Sequence, residues 1–443
     1  MSLFIYNNIL IGISVWVVVY SLLRVLLRNK ILTFWDPLHF GTILTAFSIS
    51  GLLVSIYILD TIPVNGMRIF IIFFAYFIGV MTANKPNVVN VIKLSISPLH
   101  QLIIAYSTVS ILILHVILNE IFGFIGLVEG TQSRASMGDE MISPTLAFYS
   151  FTLGDMLVLL YLLSEYKHVK IVSIFGIIIS FISSLLLGGK SGIFGVIIWI
   201  ACGVFINQIK LIGANNAVEI NNDYIKTLKK DDLKLKKLFL ILLVISILLL
   251  PIWLIYIKAG EGFKDSAMAF ISRLFLGYDN FIWLFNKNID IVKVDSNLKL
   301  IDLWFYPFVK HITGTPEFQS AGEYAVFLAT SDREYAAHGL NPNSNLILEL
   351  IFTHGIWISI VIAYIIGYFT FAIRSRILSL KKLDILNFSY FYLFVIGPGF
   401  IMGPLSFLQD GSYYIGSLTK TLIYILFIWI TGKILKHQKH IEY

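Results

Sequence analysis

Apolar runs, most of them 17 to 25 residues long, alternate with shorter polar links along almost the whole chain. A run of that length carries a helix across about 30 Å of hydrocarbon. Eleven spans are predicted, at 3–27, 39–59, 67–83, 102–124, 144–164, 171–187, 191–209, 238–257, 346–373, 387–407 and 416–432. The short alternating segments of a transmembrane barrel are not the pattern here. The fold class expected is therefore an all-α polytopic membrane protein of about 11 spans (10–12), with residues 1–443 forming a single polytopic domain. One link breaks the rhythm. Residues 258–345 form a long polar loop, and in a polytopic protein such a loop is where specific chemistry is expected.

Composition narrows the class. Hydrophobic residues make up 57% of the 443 and charged residues 13%, with mean hydropathy +0.83. A soluble domain of that composition would expose far too much apolar surface. The first run has no basic segment before it and no small-residue cleavage site after it, so it reads as a retained helix. The single cysteine, Cys202, lies in an apolar run and reads as a small core hydrophobe.

Charge then orders the links. Arg28 and Lys30, Lys85 and Lys93, Lys167 and Lys170, the Lys226–Lys237 cluster, Arg374 to Lys382, and Lys433 to Lys439 fall in every second link. Basic links face the cytoplasm. The N-terminus is then expected outside, the C-terminus inside and the 258–345 loop outside, while 210–237 is a basic cytoplasmic loop in contact with anionic membrane lipids. The net charge of +7 is explained by this orientation, and no nucleic-acid partner is expected.

Within the large loop, Gly262–Phe285 has amphipathic helical spacing and is expected to lie along the membrane surface. Leu303-Trp304-Phe305-Tyr306-Pro307-Phe308 reads either as an interfacial aromatic belt or as a wall beside a lipid-linked substrate. Pro251 and Pro398 should kink their spans.

The chain lacks HExxH, Cys/His metal spacing, GxSxG, a Walker loop and any Asp-x-Asp pair. No cofactor and no metal is expected. Asp155 is the clearest charge inside a span, and His115 and Glu120 lie toward the end of another. Three groups carry more chemistry. The hairpin Gly188-Gly189-Lys190-Ser191-Gly192 combines an ammonium with backbone that a phosphate can approach closely at a helix start. Arg273, in the amphipathic segment, can grip pyrophosphate oxygens with paired hydrogen bonds. His338-Gly339-Leu340-Asn341-Pro342-Asn343-Ser344-Asn345 leads into a span bearing Glu349 and Thr353-His354-Gly355. His338 is the candidate general base there, since its ordinary pKa lies near working pH; Asn345 also reads as a plain helix cap.

These three groups, in this order, resemble the superfamily of O-antigen polymerases and O-antigen ligases. Its members carry a Gly-Ser-Arg-like turn after a central span, matched here by Gly189-Lys190-Ser191-Gly192, with Lys190 where Arg is usual. An Arg near the start of the large loop is matched by Arg273 and its following aromatics. The loop's closing His-Asn pair is represented by Asn343-Ser344-Asn345, followed by Glu349 and Gly355. The resemblance is nearer to the Wzy-type repeat-unit polymerases than to the ligases. It implies a GT-C-like helical fold in the bacterial inner membrane with a periplasmic active site. It also implies metal-independent transfer of a glycan from undecaprenyl pyrophosphate to a second lipid-linked repeat unit. On that reading Lys190, Arg273 and Arg333 would stabilise the leaving pyrophosphate, and His338 would deprotonate the acceptor. Ser191, Asn341, Asn345 and Glu349 would position substrate. Partners would be undecaprenyl-pyrophosphate-linked oligosaccharides and membrane lipids, with a chain-length regulator and a flippase beside them. The alternatives are an O-antigen ligase and a lipid-linked oligosaccharide flippase or other transporter. The transporter would call for several charged residues lining its spans.

Overall fold

The computed structural model describes residues 2–58, 64–84, 93–121, 156–186, 191–216, 222–257, 299–304, 320–334 and 346–396, with positions 154 and 318 and a few between 418 and 433. The described residues are almost all helical. In chain order they form α1 (Ser2–Leu26), α2 (Pro37–Ile58), α3 (Val64–Thr82), β1 (Lys93–Leu94), α4 (Pro98–Ile121), α5 (Lys167–Leu186), α6 (Ser191–Asn216) and α7 (Asn222–Ile257). Then follow α8 (Leu300–Trp304), α9 (Ala321–Thr330), α10 (Leu346–Leu378), β2 (Lys382–Leu383) and α11 (Ile385–Phe391), which runs into a π-helical turn at Tyr392–Ile396. Among these residues, three segments are long and apolar enough to cross a membrane: Pro37–Val54, Ile198–Asn215 and Leu346–Leu378. Shorter apolar helices occupy Ile11–Leu26, Gly66–Thr82, Pro98–Leu114 and Ile385–Ile396. The architecture is that of an all-α membrane-associated protein. The amphipathic segment expected at Gly262–Phe285 and the kink at Pro398 lie outside the described residues.

The single polytopic domain read from the sequence is built of two compact units. The first joins Met1–Pro86, Lys264–Arg376 and Gly397–Leu418; the second joins Asn87–Phe263, Ile377–Ile396 and Thr419–Tyr443.

In the first unit, α1 and α2 pack through stacked rings. Trp16 lies 4.8 Å from Phe47 and 5.6 Å from Tyr20. His39 Nδ1–H donates to the Phe34 carbonyl at 2.7 Å, so Nε2 accepts from the Tyr20 hydroxyl at 2.5 Å. Helices α3 and α10 cross with their backbones in contact. A Cβ on Gly79 would strike the main chain of Tyr364 and Tyr368, and one on Gly367 the main chain of Tyr76. Small residues permit such crossings where lipid supplies no hydrophobic drive between helices.

One end of this unit is tied by charge. Arg374, near the end of α10, and Asp36, just before α2, are both fully buried. Nη2 of Arg374 lies 2.7 Å from each Asp36 carboxylate oxygen, and Nη1 donates to the Lys30 carbonyl at 3.0 Å. Asp36 also accepts the amides of Leu32 and Leu38. Buried Lys30 donates to the Ala83 carbonyl, and Ser375 to that of Asn84 at 2.5 Å. The C-terminal ends of α1, α3 and α10 therefore meet at one end of this unit.

Helix α10 is not one rod. Gly355 has φ 72° and ψ 176°, a conformation open essentially to glycine alone, and it breaks the helix. Beyond the break Trp357 is 79% exposed, and Val361, Ile365 and Phe369 continue an exposed apolar stripe at four-residue spacing. The seventeen steps from Trp357 to Arg374 rise about 26 Å at ~1.5 Å each, close to one hydrocarbon thickness. Leu346–Phe352, before the break, is buried in protein.

In the second unit α4 packs on α5, and α6 on both α5 and α7. Buried Cys202 lies in α6, as its apolar surroundings suggest. The basic stretch at 210–237 is helical at both ends, since α6 runs to Asn216 and α7 starts at Asn222. Lys236 pairs with Asp232 at 2.6 Å one turn earlier. Burial, with the nearby Glu165 charge, holds the Tyr224 phenol above its ordinary pKa. Lys210 donates to the Leu162 carbonyl at 3.0 Å. Leu162, Glu165, Lys210 and Tyr224 thus gather at one end of this unit. The strands β1 and β2 pair in parallel, Lys93 opposite Lys382 and Leu94 opposite Leu383.

Candidate functional site

The described part of the large loop folds onto the first turns of α10. Helix α9 begins at Ser320, whose hydroxyl accepts the Glu323 amide at 3.0 Å, and Glu323 places an acid beside the partial positive charge of the helix start. It ends at Ser331, in the left-handed region at φ 58°, whose N–H bonds the Phe327 carbonyl at 2.7 Å. Phe318, Tyr324, Phe327 and Phe352 form an aromatic nest that fixes α9 on α10. Tyr324 meets Phe352 edge-on at 5.1 Å, and Phe318 meets Tyr324 at 5.0 Å and Phe327 at 5.2 Å. Leu303, from the short helix α8, is buried in the same core, so this part of the 303–308 patch packs inward.

Polar groups surround the nest. The Arg333 guanidinium sits 5.7 Å above the Phe318 ring and is exposed, a cation on an aromatic base at the rim. Glu323 and Glu349 are both buried, at 4% and 2% exposure, and both are partnered. On α10 the Thr353 hydroxyl donates to the Glu349 carbonyl at 2.6 Å, and His354 Nδ1 lies 2.7 Å from the Thr353 hydroxyl oxygen. A hydroxyl has one proton, so Nδ1–H of His354 is the donor, and in the neutral ring the lone pair is on Nε2. His354 directly precedes the break at Gly355, whose carbonyl accepts from Ser359 at 2.6 Å.

Of the residues singled out from the sequence, the structure brings Arg333 and Glu349 into one folded region. Lys190, Arg273, His338, Asn341 and Asn345 lie outside the described residues, as does Asp155. Ser191 opens α6, as a glycine turn feeding a helix requires, but its side chain is outside the description, as are those of His115 and Glu120. His354 is not among the site residues expected from the sequence. Its signal was the Thr-His-Gly triplet, in which a glycine inside an apolar run marks a break and the preceding residue a free helix end.

No protein-family model matches the chain, and no curated protein or solved structure is significantly similar to it.

Proposed function

We propose that the chain is a repeat-unit polymerase of the O-antigen type, an inner-membrane glycosyltransferase of about eleven spans with GT-C-like architecture. It joins undecaprenyl-pyrophosphate-linked oligosaccharides at the periplasmic face. The observation that carries this reading is the order of three groups around one large loop. These are the Gly189-Lys190-Ser191-Gly192 turn, Arg273 at the loop's start, and Asn343-Ser344-Asn345 with Glu349 and Gly355 at its end.

The chemistry follows from those residue types. The acceptor sugar oxygen bonds to the anomeric carbon of the donor, the bond from that carbon to the pyrophosphate oxygen breaks, and the acceptor proton passes to a base. Negative charge grows on the leaving pyrophosphate, where Lys190, Arg273 and Arg333 stabilise it. His338 is one candidate base, and the lone pair on His354 Nε2 makes that residue a second. Buried Glu349, with Ser191, Asn341 and Asn345, orients sugar hydroxyls. Tyr324 against Phe352 anchors the described part of the loop on the start of α10, and a lipid-linked pyrophosphate held near that footing would be oriented for transfer.

A host lacking the gene, with a re-expression control, tests this on a gel of surface lipopolysaccharide. The expected result is core carrying one repeat unit and no ladder, restored on re-expression. Bare core with long polymer left on undecaprenyl pyrophosphate would make the protein a ligase; bare core with no polymer would make it a flippase.

A further inference from the structure

Lys93 and Lys382 are 289 positions apart and stand directly opposite in the parallel pair of β1 and β2. Partners in register put their side chains on one face of the ladder, and like charges so placed repel. The Lys93 amide donates to the Lys381 carbonyl at 3.3 Å, which adds a third lysine beside them. All three are exposed. Among the described residues none of them has an ion-pair partner, and the links 85–97 and 379–384 contain a single acid, Asp384. That carboxylate caps α11 by accepting the Asn387 amide at 2.7 Å. Lys93 and Lys382 thus share one face, Lys381 is next to them along the chain, and among the described residues no anion of the protein's own pairs with them.

The surroundings say what the anion is. Each strand leads within four residues into an apolar helix, β1 into α4 and β2 into α11. At the start of those helices Leu99 and Leu386 are half exposed, and Tyr106 is exposed two turns into α4. Lysines immediately before exposed apolar side chains lie at headgroup depth. The charge pattern puts this link on the cytoplasmic side, where anionic lipid is available. The geometry points to a binding site for the phosphodiester headgroup of an anionic phospholipid, held between Lys93 and Lys382 with Lys381 at its edge. The site does not depend on the glycosyltransferase reading.

The test is thermal unfolding of the purified full chain in detergent, titrated with phosphatidylglycerol, phosphatidylethanolamine or inorganic phosphate. Phosphatidylglycerol is expected to raise the midpoint of the wild-type protein saturably, with the other two inert. In K93Q/K382Q its apparent affinity should fall roughly ten- to thirtyfold. K167Q/K170Q, which removes the same charge from the start of α5, should behave as wild type, and K93R/K382R should keep the response. Without lipid, K93Q/K382Q should unfold no earlier than wild type, since it removes a repulsion. An unchanged response in K93Q/K382Q, or an equal loss in K167Q/K170Q, would overturn the site. An equal response to inorganic phosphate would overturn its assignment to lipid. Early unfolding of lipid-free K93Q/K382Q would show the lysines to be structural.

Discussion

Arg374 Nη2 lies 2.7 Å from both carboxylate oxygens of Asp36, and neither side chain has any exposed surface. A buried pair of this kind is fragile to the loss of one member, because the survivor is left charged and unsolvated. Asp36→Ala or Arg374→Ala should each cost about 3–5 kcal/mol. The double change to Asp36→Leu with Arg374→Met should cost far less than the two singles added. Unfolding midpoints of the detergent-purified proteins check this. Additive losses would mean the two groups do not act as a pair.

The α3–α10 crossing makes a second prediction. Alanine at Gly79 or Gly367 sets a methyl against the main chain of the facing helix, and backbone cannot swing aside. Each change should destabilise by roughly 1–3 kcal/mol. Gly203→Ala is the control, since its methyl would meet only leucine side chains at 3.4 Å or more. It should be neutral or slightly stabilising because alanine is the better helix former.

Two backbone positions should respond in opposite directions. Gly355→Ala forces a side chain into a glycine-only conformation at about 1–3 kcal/mol. Ser331→Gly relieves a left-handed serine at the end of α9, worth roughly 0.5–1 kcal/mol once the extra freedom of the unfolded chain is subtracted. Hydrogen exchange over 321–330 should slow in Ser331→Gly, and exchange over 346–360 should quicken in Gly355→Ala.

His354 can be separated from His338 by chemistry. His354→Gln keeps a donor for the Thr353 oxygen but has no basic nitrogen. If His354 takes the acceptor proton, this variant should lose about 10²–10⁴ in polymerisation rate at normal membrane level, while His338→Gln should lose much less. The reverse ranking would assign the base to His338.

Much of the helical framework could be read from the sequence. The runs at 39–59, 67–83 and 171–187 match α2, α3 and α5 to within a few residues, because uninterrupted apolar length is a strong local signal. The helix running through the Lys226–Lys237 cluster was not visible as such, since a basic, lysine-rich segment reads equally as a link and as a solvated helix turn. The Arg374–Asp36 pair, the glycine crossing and the Lys93–Lys382 register were not legible either. Each joins positions far apart in the chain, and nothing in local periodicity reports them. At the candidate site, Glu349 and Arg333 were marked by residue type, but their place around the nest depends on Tyr324 meeting Phe352 across two elements.

The most direct measurement is polymerisation by the purified protein in liposomes, supplied with a repeat unit on undecaprenyl pyrophosphate. A ladder of lengthened glycans is expected, with one undecaprenyl pyrophosphate released per linkage. Both should persist in EDTA and disappear in Arg273→Ala. No elongation by folded, reconstituted wild-type protein, or an undiminished ladder from Arg273→Ala, would contradict it.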